Sequence, residues 1–557
     1  MSEPTKAGHS LMGDAEQINV EELMAEYDRE SNTRHYSGVP RIFVRYILAA
    51  FSAFVFYVNL ISAWPEQIRR SSFVAFIIFM AFIVYPARKK AAKRVNYVPW
   101  YDIILGLVGS GCFLYYALNF STMAQKATRI SRTDVIIGLI GILVIAEVCR
   151  RVVGLPILFV AGAFVVYAFT ARYSLTRIVY TLFYTLDGVI GTPIGVCSTF
   201  IVLFIILGAF LEKTNIGNFF IDIANSVAGF ASGGPAKVAV ISSALEGMYS
   251  GSSVANTVGS GSVTIPIMKK TGYDKDFAAA VEAAASTGGQ IMPPIMGAAA
   301  FLMAEMTELP YSTIAAAAVF PAILYFSGIF LMVHFEAKKL GLKGLPKESI
   351  PSFFKLFFKK GYLFIPIVVL ITTMSIGYTA SRAACLAIVA AILVSMFRRE
   401  TRLTPKTFVE ALENGAKNTI GVAAACSIAG IIVGIVSLTG IGLKLADGLL
   451  LLSGGIDILA LFLTMIACII LGMRAYNCKL CYNGHDYCAY NTQAHPRNPC
   501  ACGPHVRILL WHCSGYYTTC SIGGLCRRSH FRRESDPDLH HRDQAGDNCV
   551  YYSIHLC

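Results

Sequence analysis

Residues 246–301 narrow most sharply what this chain can become. They read E-G-M-Y-S-G-S-S-V-A-N-T-V-G-S-G-S-V-T-I-P-I and, further on, A-S-T-G-G-Q-I-M-P-P-I-M-G-A-A-A-F. Apolar runs suited to a bilayer flank them. Gly loosens a helix, and Pro removes an N–H donor and clashes with the preceding turn. Lipid offers no replacement hydrogen bonds. Broken helix at membrane depth therefore survives only inside protein or along a wet cavity, as in the binding sites of secondary transporters. The bland alternative is close helix packing through small residues. Density argues against it, because Gly251, Ser252, Ser253, Asn256, Thr257, Gly259, Ser260, Gly261, Ser262 and Pro266 are followed by Gly288, Gly289, Gln290, Pro293 and Pro294. The segment is a candidate substrate or ion site. Helix N-termini there can hold an anion, and carbonyls freed around Gly251 to Ser253 and at Gly288 and Gly289 can hold a cation.

The remainder fits such a setting. In 557 residues, 55% are hydrophobic and only 15% charged, which predicts an all-α, polytopic membrane protein. The net charge of +13 sits in Lys and Arg clusters between apolar spans. That is the positive-inside pattern and excludes nucleic acid as the partner. Residues 1–40 are polar and acidic, with no apolar core of signal-peptide type, and are expected in the cytoplasm.

Four apolar spans, 46–63, 72–85, 101–121 and 135–148, form a quartet over 41–151 that reads as scaffold. The second is short for a crossing unless its flanks extend it. Arg34, Arg41 and Arg45 precede the first span, Arg88, Lys89, Lys90, Lys93 and Arg94 follow the second, and Arg150 and Arg151 follow the fourth. These place both ends of the quartet in the cytoplasm, against the weaker opposing signal of Arg69, Arg70, Lys126, Arg129 and Arg132. Glu147 is expected to snorkel to the surface. A larger unit, 152–473, follows. After a span at 155–171, the stretch 172–192 mixes aromatic and basic residues, suiting a helix along the interface or a brace for a moving part. Spans at 196–211, 216–231 and 236–245 lead into the central segment. After it come 311–335, a basic amphipathic loop at 338–360, spans at 362–378 and 383–397, and a second basic loop with Arg398, Arg399, Arg402 and Lys406.

From 420 the pattern restarts. T-N-I-G at 214–217 returns as T-G-I-G at 439–442, then a Gly pair (Gly233 and Gly234; Gly454 and Gly455), then an apolar run ending in Gly-Met at 247–248 and 472–473. The first repeat is 196–335 and the second begins at 420–473. A second broken helix is due and does not come. Ten of the sixteen Cys and eight of the eleven His lie beyond Met473. Cys478, Cys481, Cys500 and Cys502 lack the regular spacing of a zinc site, so none is expected. The preferred reading of 474–557 is an out-of-frame translation. Codons for Cys, His, Tyr, Asn and Asp all end in a pyrimidine, and read one base later they encode apolar or small residues. Residues 475–490 can then read P-I-T-A-N-Y-V-I-M-V-M-I-T-A-P-I, with A-N and Pro spaced as in Ala255, Asn256 and Pro266. On that reading the intact gene encodes two copies of one unit with a site between them, and this chain is expected to be transport-dead or misfolded in its last sixth.

From residue 46 to Met473 the chain resembles the tripartite ATP-independent periplasmic (TRAP) transporters, in the form that fuses the small and large membrane subunits. The most specific part is L-E-G-M-Y-S-G-S-S-V-A-N-T-V-G-S-G with G-G-Q-I-M-P-P. The resemblance implies an inverted-repeat, elevator-type, sodium-driven importer in the bacterial inner membrane, fed by a periplasmic solute-binding protein and carrying a small organic anion. It implies that Ser252, Ser253, Asn256 and Thr257 sit at a re-entrant hairpin tip, with Na+ near Ser253, Asn256 and Gly288. Gly288, Gly289, Gln290, Pro293 and Pro294 would form the facing helix break. Glu246 and Glu282 read equally as interfacial anchors or as coupling groups. An ion channel or another inverted-repeat, ion-coupled carrier is the rival. An intramembrane enzyme would need a base near a Ser, and His334 and Lys269 stand in no motif.

Overall fold

The computed structural model describes residues 33–463, except 89–93, 127–129, 347–349, 399–400, 455, 457–458 and 460–461. The N-terminal stretch 1–32, the Gly-Met at 472–473 and the tail 474–557 lie outside the described residues. Among the described residues all regular structure is helical. Six helices there are long and apolar enough to cross a membrane: Gly38–Leu60, Glu66–Val84, Trp100–Leu118, Thr192–Lys213, Tyr311–Lys339 and Pro405–Thr439. The chain is an all-α polytopic membrane protein.

The quartet region comprises α1 (Gly38–Leu60), α2 (Glu66–Val84), α3 (Trp100–Leu118), a short α4 (Phe120–Lys126) and α5 (Arg132–Val152). Because α2 starts at Glu66, the short second span reaches 19 residues, which at about 1.5 Å per residue can cross. α5 is started by a capping box between Ser131 and Asp134. Several charges counted in the sequence as loop cations are in fact buried. Asp102, at the head of α3, is fully buried between Arg34 and Arg151, with Arg151 Nη2 2.7 Å from its Oδ1 and Arg34 on its Oδ2. Arg34 also donates to Phe82 O at 2.6 Å, so the entry to α1, the end of α2, the head of α3 and the end of α5 meet at one end of the quartet. Glu147 does not snorkel alone. It takes 2.7 Å bonds from both Arg150 and Arg151.

Beyond the quartet run α6 (Leu155–Thr170), α7 (Leu175–Val179) and α8 (Thr192–Lys213), the last passing through a wider π turn at Cys197–Ile201. The stretch read as lying along the interface or bracing a moving part is exposed over most of 172–177 and turns inward after it. Thr181, Leu182, Phe183 and Tyr184 are buried, and Tyr184 Oη donates to Asp134 O at 2.7 Å. The reason is close approach on α5: a Cβ on Gly141 would fall 2.2 Å from Phe183 Cε2, so only glycine admits the ring. Then follow α9 (Ile216–Ala228), α10 (Gly234–Ser250), α11 (Ser253–Gly259), α12 (Gly261–Lys270), α13 (Lys275–Gly288), α14 (Ala298–Thr307) and α15 (Tyr311–Lys339). The amphipathic loop carries α16 (Phe353–Lys360), tied to α9 by Lys360 and Asp222 at 3.1 Å. The last elements are α17 (Ile365–Ser375), α18 (Ala380–Ser395), α19 (Pro405–Thr439) and α20 (Ile441–Ser453).

The sequence placed Lys406 in a loop and began the next span at 420. The helix α19 in fact starts at Pro405, capped by Thr404 and Thr407. Its charged first turns persist because Glu413 Oε2 takes a 2.9 Å bond from Arg45 Nε of α1, with Glu410 beside it at 3.5 Å. The two T-x-I-G motifs have matching backbones. Asn215 (φ 60°) precedes the 13-residue α9, and Gly440 (φ 66°) precedes the 13-residue α20. Left-handed residues also stand after each helix, at Gly233 and Gly454.

The main core runs through the quartet, α8, α14 and α17 to α19. A separate, smaller core joins Ala236, Ala239, Met268, Tyr273, Val281, Ala285, Val333 and Ala337, so α10, α12, α13 and α15 hold together on their own account. The broken segment lies where the two cores meet, since Tyr249, Ile295, Met296 and Ala300 belong to the larger one.

Candidate functional site

α10 ends at Ser250 and the chain reverses through Gly251, whose φ of 59° favours glycine. A Cβ there would also fall 2.2 Å from Met296 O. Ser252 caps the return helix α11, its Oγ accepting from Ala255 N at 3.3 Å. α11 bends at Ser260 into α12, which carries Pro266. This is a helical hairpin with its turn at 251–252. After it, α13 runs to Gly288, tightens into a turn over Gly289–Ile291, passes a cis Pro293–Pro294 bond and left-handed Met296, and restarts as α14. Tyr311 pins this break by donating to Pro294 O at 3.0 Å and to Ile295 O.

The two breaks touch. A Cβ on Gly247 would fall 2.3 Å from Gly289 Cα, so α10 and the break meet backbone to backbone. Gln290 Nε2 donates to Ser253 Oγ at 3.0 Å, and the Asn256 amide lies directly over Gly289. Asn256 is 1% exposed. Its Oδ1 accepts from Ser250, and its Nδ2 has no partner among the described residues. Ser253, Asn256, Gly289, Gln290 and Gly251 are therefore brought together. Thr257 turns back on its own helix, donating to Ser253 O at 2.8 Å. Gly288 faces away, because a Cβ there would fall 2.4 Å from Tyr325 Cε1 and 2.8 Å from Phe326 Cζ. Pro293 and Pro294 shape the backbone beyond the contact.

The carbonyls expected to be free are partly engaged. Ser252 O accepts from Asn256 N at 3.1 Å, Ser253 O from Thr257, and Gly289 O from Met292 N at 3.2 Å. Glu246 and Glu282 are 3% and 0% exposed, which removes the interfacial-anchor reading. Sequence reasoning missed Ser250, Tyr311 and Tyr325, whose types are ordinary in a membrane helix. It singled out Ser260 but missed Ser243, Thr264 and Ser286, the other hydroxyls around Glu282, although the four-residue spacings of Ser260 with Thr264 and of Glu282 with Ser286 put each pair on one helix face.

Residues 140–475, more than half of the chain, match the family described as Tripartite ATP-independent periplasmic transporter, DctM component. The chain belongs to that TRAP permease family. Among its relatives, the C4-dicarboxylate TRAP transporter large permease protein DctM of Pseudomonas aeruginosa is 29% identical over 211 residues, covering 37% of this chain and 49% of the relative. The sialic acid TRAP transporter large permease protein SiaM of Vibrio cholerae is 27% identical over 222 residues, covering 40% and 51%. The isethionate TRAP transporter permease protein DctMQ of Oleidesulfovibrio alaskensis is 27% identical over 198 residues, covering 35% and 31%. The chain thus spans about half the length of the first two relatives. TRAP permeases are transporters and not enzymes.

Proposed function

We propose that this chain is the membrane permease of a TRAP-type secondary transporter, taking up a small organic anion delivered by a periplasmic solute-binding protein across the bacterial inner membrane, with Na+ as the coupling ion. The observation that carries the reading is the hairpin turn laid on the 289–297 break, with a buried Asn256 amide N–H unpartnered between them. Paired helix breaks of this kind hold ions with carbonyls and anions with N–H groups. Sodium would sit by Ser253 and Asn256, near the Gly288–Gly289 carbonyls, and the anion would meet Asn256, Gln290 and the first N–H groups of α11. The dicarboxylate, sialic acid and isethionate named for relatives support an acidic substrate. The quartet would stand for a fused small subunit, and the α10, α12, α13 and α15 unit, having its own core, would be the part that moves in an elevator step. The matched motifs at 214–217 and 439–442 support an internal repeat.

The tail 474–557 would be out of frame, leaving the second hairpin unmade and the chain inactive. Sequencing the coding DNA tests this directly, since codons that forbid the apolar peptides end the idea. For function, a version with the frame restored is reconstituted in liposomes with a sodium gradient and a cognate binding protein. Saturable uptake of a labelled organic acid that needs both is the expected result. Flux that neither saturates nor needs the partner would indicate a channel and overturn the carrier reading.

A further inference from the structure

Glu282 sits in the middle of α13 and is wholly enclosed by the hairpin. Its Oε1 lies 2.5 Å from Ser260 Oγ and 3.3 Å from the hydroxyls of Ser243 and Ser286, and its Oε2 lies 2.6 Å from Thr264 Oγ1. Three helices, α10, α12 and α13, and the Ser260 bend thus converge on one carboxyl group. Glu246 of α10 approaches the same hairpin, its Oε2 3.2 Å from where a Cβ on Gly259 would stand. No cationic side chain is paired with either glutamate among the described residues. The titratable groups on the packed elements do not supply one. α11 has none. Tyr249 of α10 lies beside Glu246, and Lys237 is held at 2.9 Å by His334 Nδ1 over the Phe330 ring. Lys269 and Lys270 of α12 are exposed at its far end, and Tyr325 of α15 donates to Ala284 O at 2.7 Å.

A buried carboxylate with no counter-charge is costly, and a second acid beside it adds to that cost. Either a cation or a proton must neutralise it. Oxygen spacing favours the proton. Oxygens around a bound ion at contacts of about 2.4 Å stand more than about 3 Å apart. Here the closest pairs are 2.5 and 2.6 Å, the range of O–H···O hydrogen bonds. The hydroxyl hydrogens at the two shortest contacts are shared. Ser260 has one hydroxyl hydrogen and three acceptors in reach, namely Asn256 O at 2.8 Å, Ser243 Oγ at 3.2 Å and Glu282 Oε1. Thr264 is likewise shared between Ser260 O at 3.0 Å and Glu282 Oε2. If Ser260 donates along its helix to Asn256 O, the hydrogen in its contact with Oε1 must come from the carboxyl group.

We propose that the Glu282 carboxyl is a proton-binding site, and that this proton fastens the α10–α12 hairpin to α13 through Ser260. The inference stands on the hydroxyl cradle and needs neither sodium coupling nor uptake. Infrared spectroscopy of the purified full chain in detergent, near neutral pH, reads it directly. A carboxylic-acid carbonyl band is expected in the wild type, lost in E282Q, retained in E246Q and shifted to higher frequency in S260A, which removes its hydrogen-bond partner. A wild type without the band, a band that survives in E282Q or disappears in E246Q, or one that vanishes on adding Na+ at constant pH would overturn the proposal. Should E282Q fail to fold, S260A decides alone, an unshifted band counting against it.

Discussion

Single glycines set how closely the two breaks approach. A methyl at position 289 would fall 2.3 Å from Asn256 Nδ2 and 3.1 Å from Gly247 Cα, so Gly289→Ala forces the hairpin off the break. Overpacking of this kind costs about 1–3 kcal/mol. Thermal unfolding in detergent should show a lower Tm for it. Gly162→Ala, on a face of α6 with nothing within 4 Å, should leave Tm unchanged or slightly raised. Equal effects would show that the contact does not matter. That a cluster of Gly, Ser and Asn lay here was legible in the sequence, because bilayer chemistry makes such residues conspicuous. Which glycine met which partner was not, since the pairs are distant in sequence, and Gly288 and Gly289 face opposite ways although adjacent. Glu282 was ambiguous for the same reason: an acid near a helix middle looks alike whether it faces water or a ring of hydroxyls.

Ion pairs, rather than apolar pattern alone, fix how helices are placed around the scaffold. Asp102 holds Arg34 and Arg151, and all three side chains are at most 2% exposed. Asp102→Ala takes the shared carboxylate from two buried guanidinium groups, leaving Arg34 on backbone carbonyls and Arg151 on Glu147, a loss of about 3–5 kcal/mol. The expected outcome is a chain that unfolds far earlier or fails to insert, seen as lost monodisperse protein on size exclusion. The Arg45–Glu413 pair joining α1 to α19 is more open, at 16% and 21% exposure. Arg45→Ala should cost only about 1 kcal/mol or less, and a double-mutant cycle with Glu413→Ala should return most of it. Span positions were readable from hydropathy, but element ends were not. α2 and α19 both start in charged sequence, and those charges become tolerable only through partners that hydropathy does not see.

Across the whole molecule, every core cluster among the described residues lies between Leu48 and Val436. On the out-of-frame reading of 474–557, a chain stopped at residue 473 should keep the Tm of the full chain to within a few degrees, checked by thermal unfolding of both. A large drop would mean that the Cys- and His-rich tail packs on the body. The membrane class was legible from composition and hydropathy. The separate core under the hairpin was not, because its members come from residues 236 to 342 and alternate along the sequence with members of the larger core.

The Asp102 knot also bears on how such a chain is made. Its three members arrive at the ribosome exit in the order Arg34, Asp102, Arg151, each separated by at least one hydrophobic segment. Once α3 emerges, its acidic head can settle only if the first guanidinium is already waiting at the same rim of the bilayer. The second arrives after α5. A nascent chain that flipped its leading helix would leave this carboxylate short of one of its two guanidinium partners.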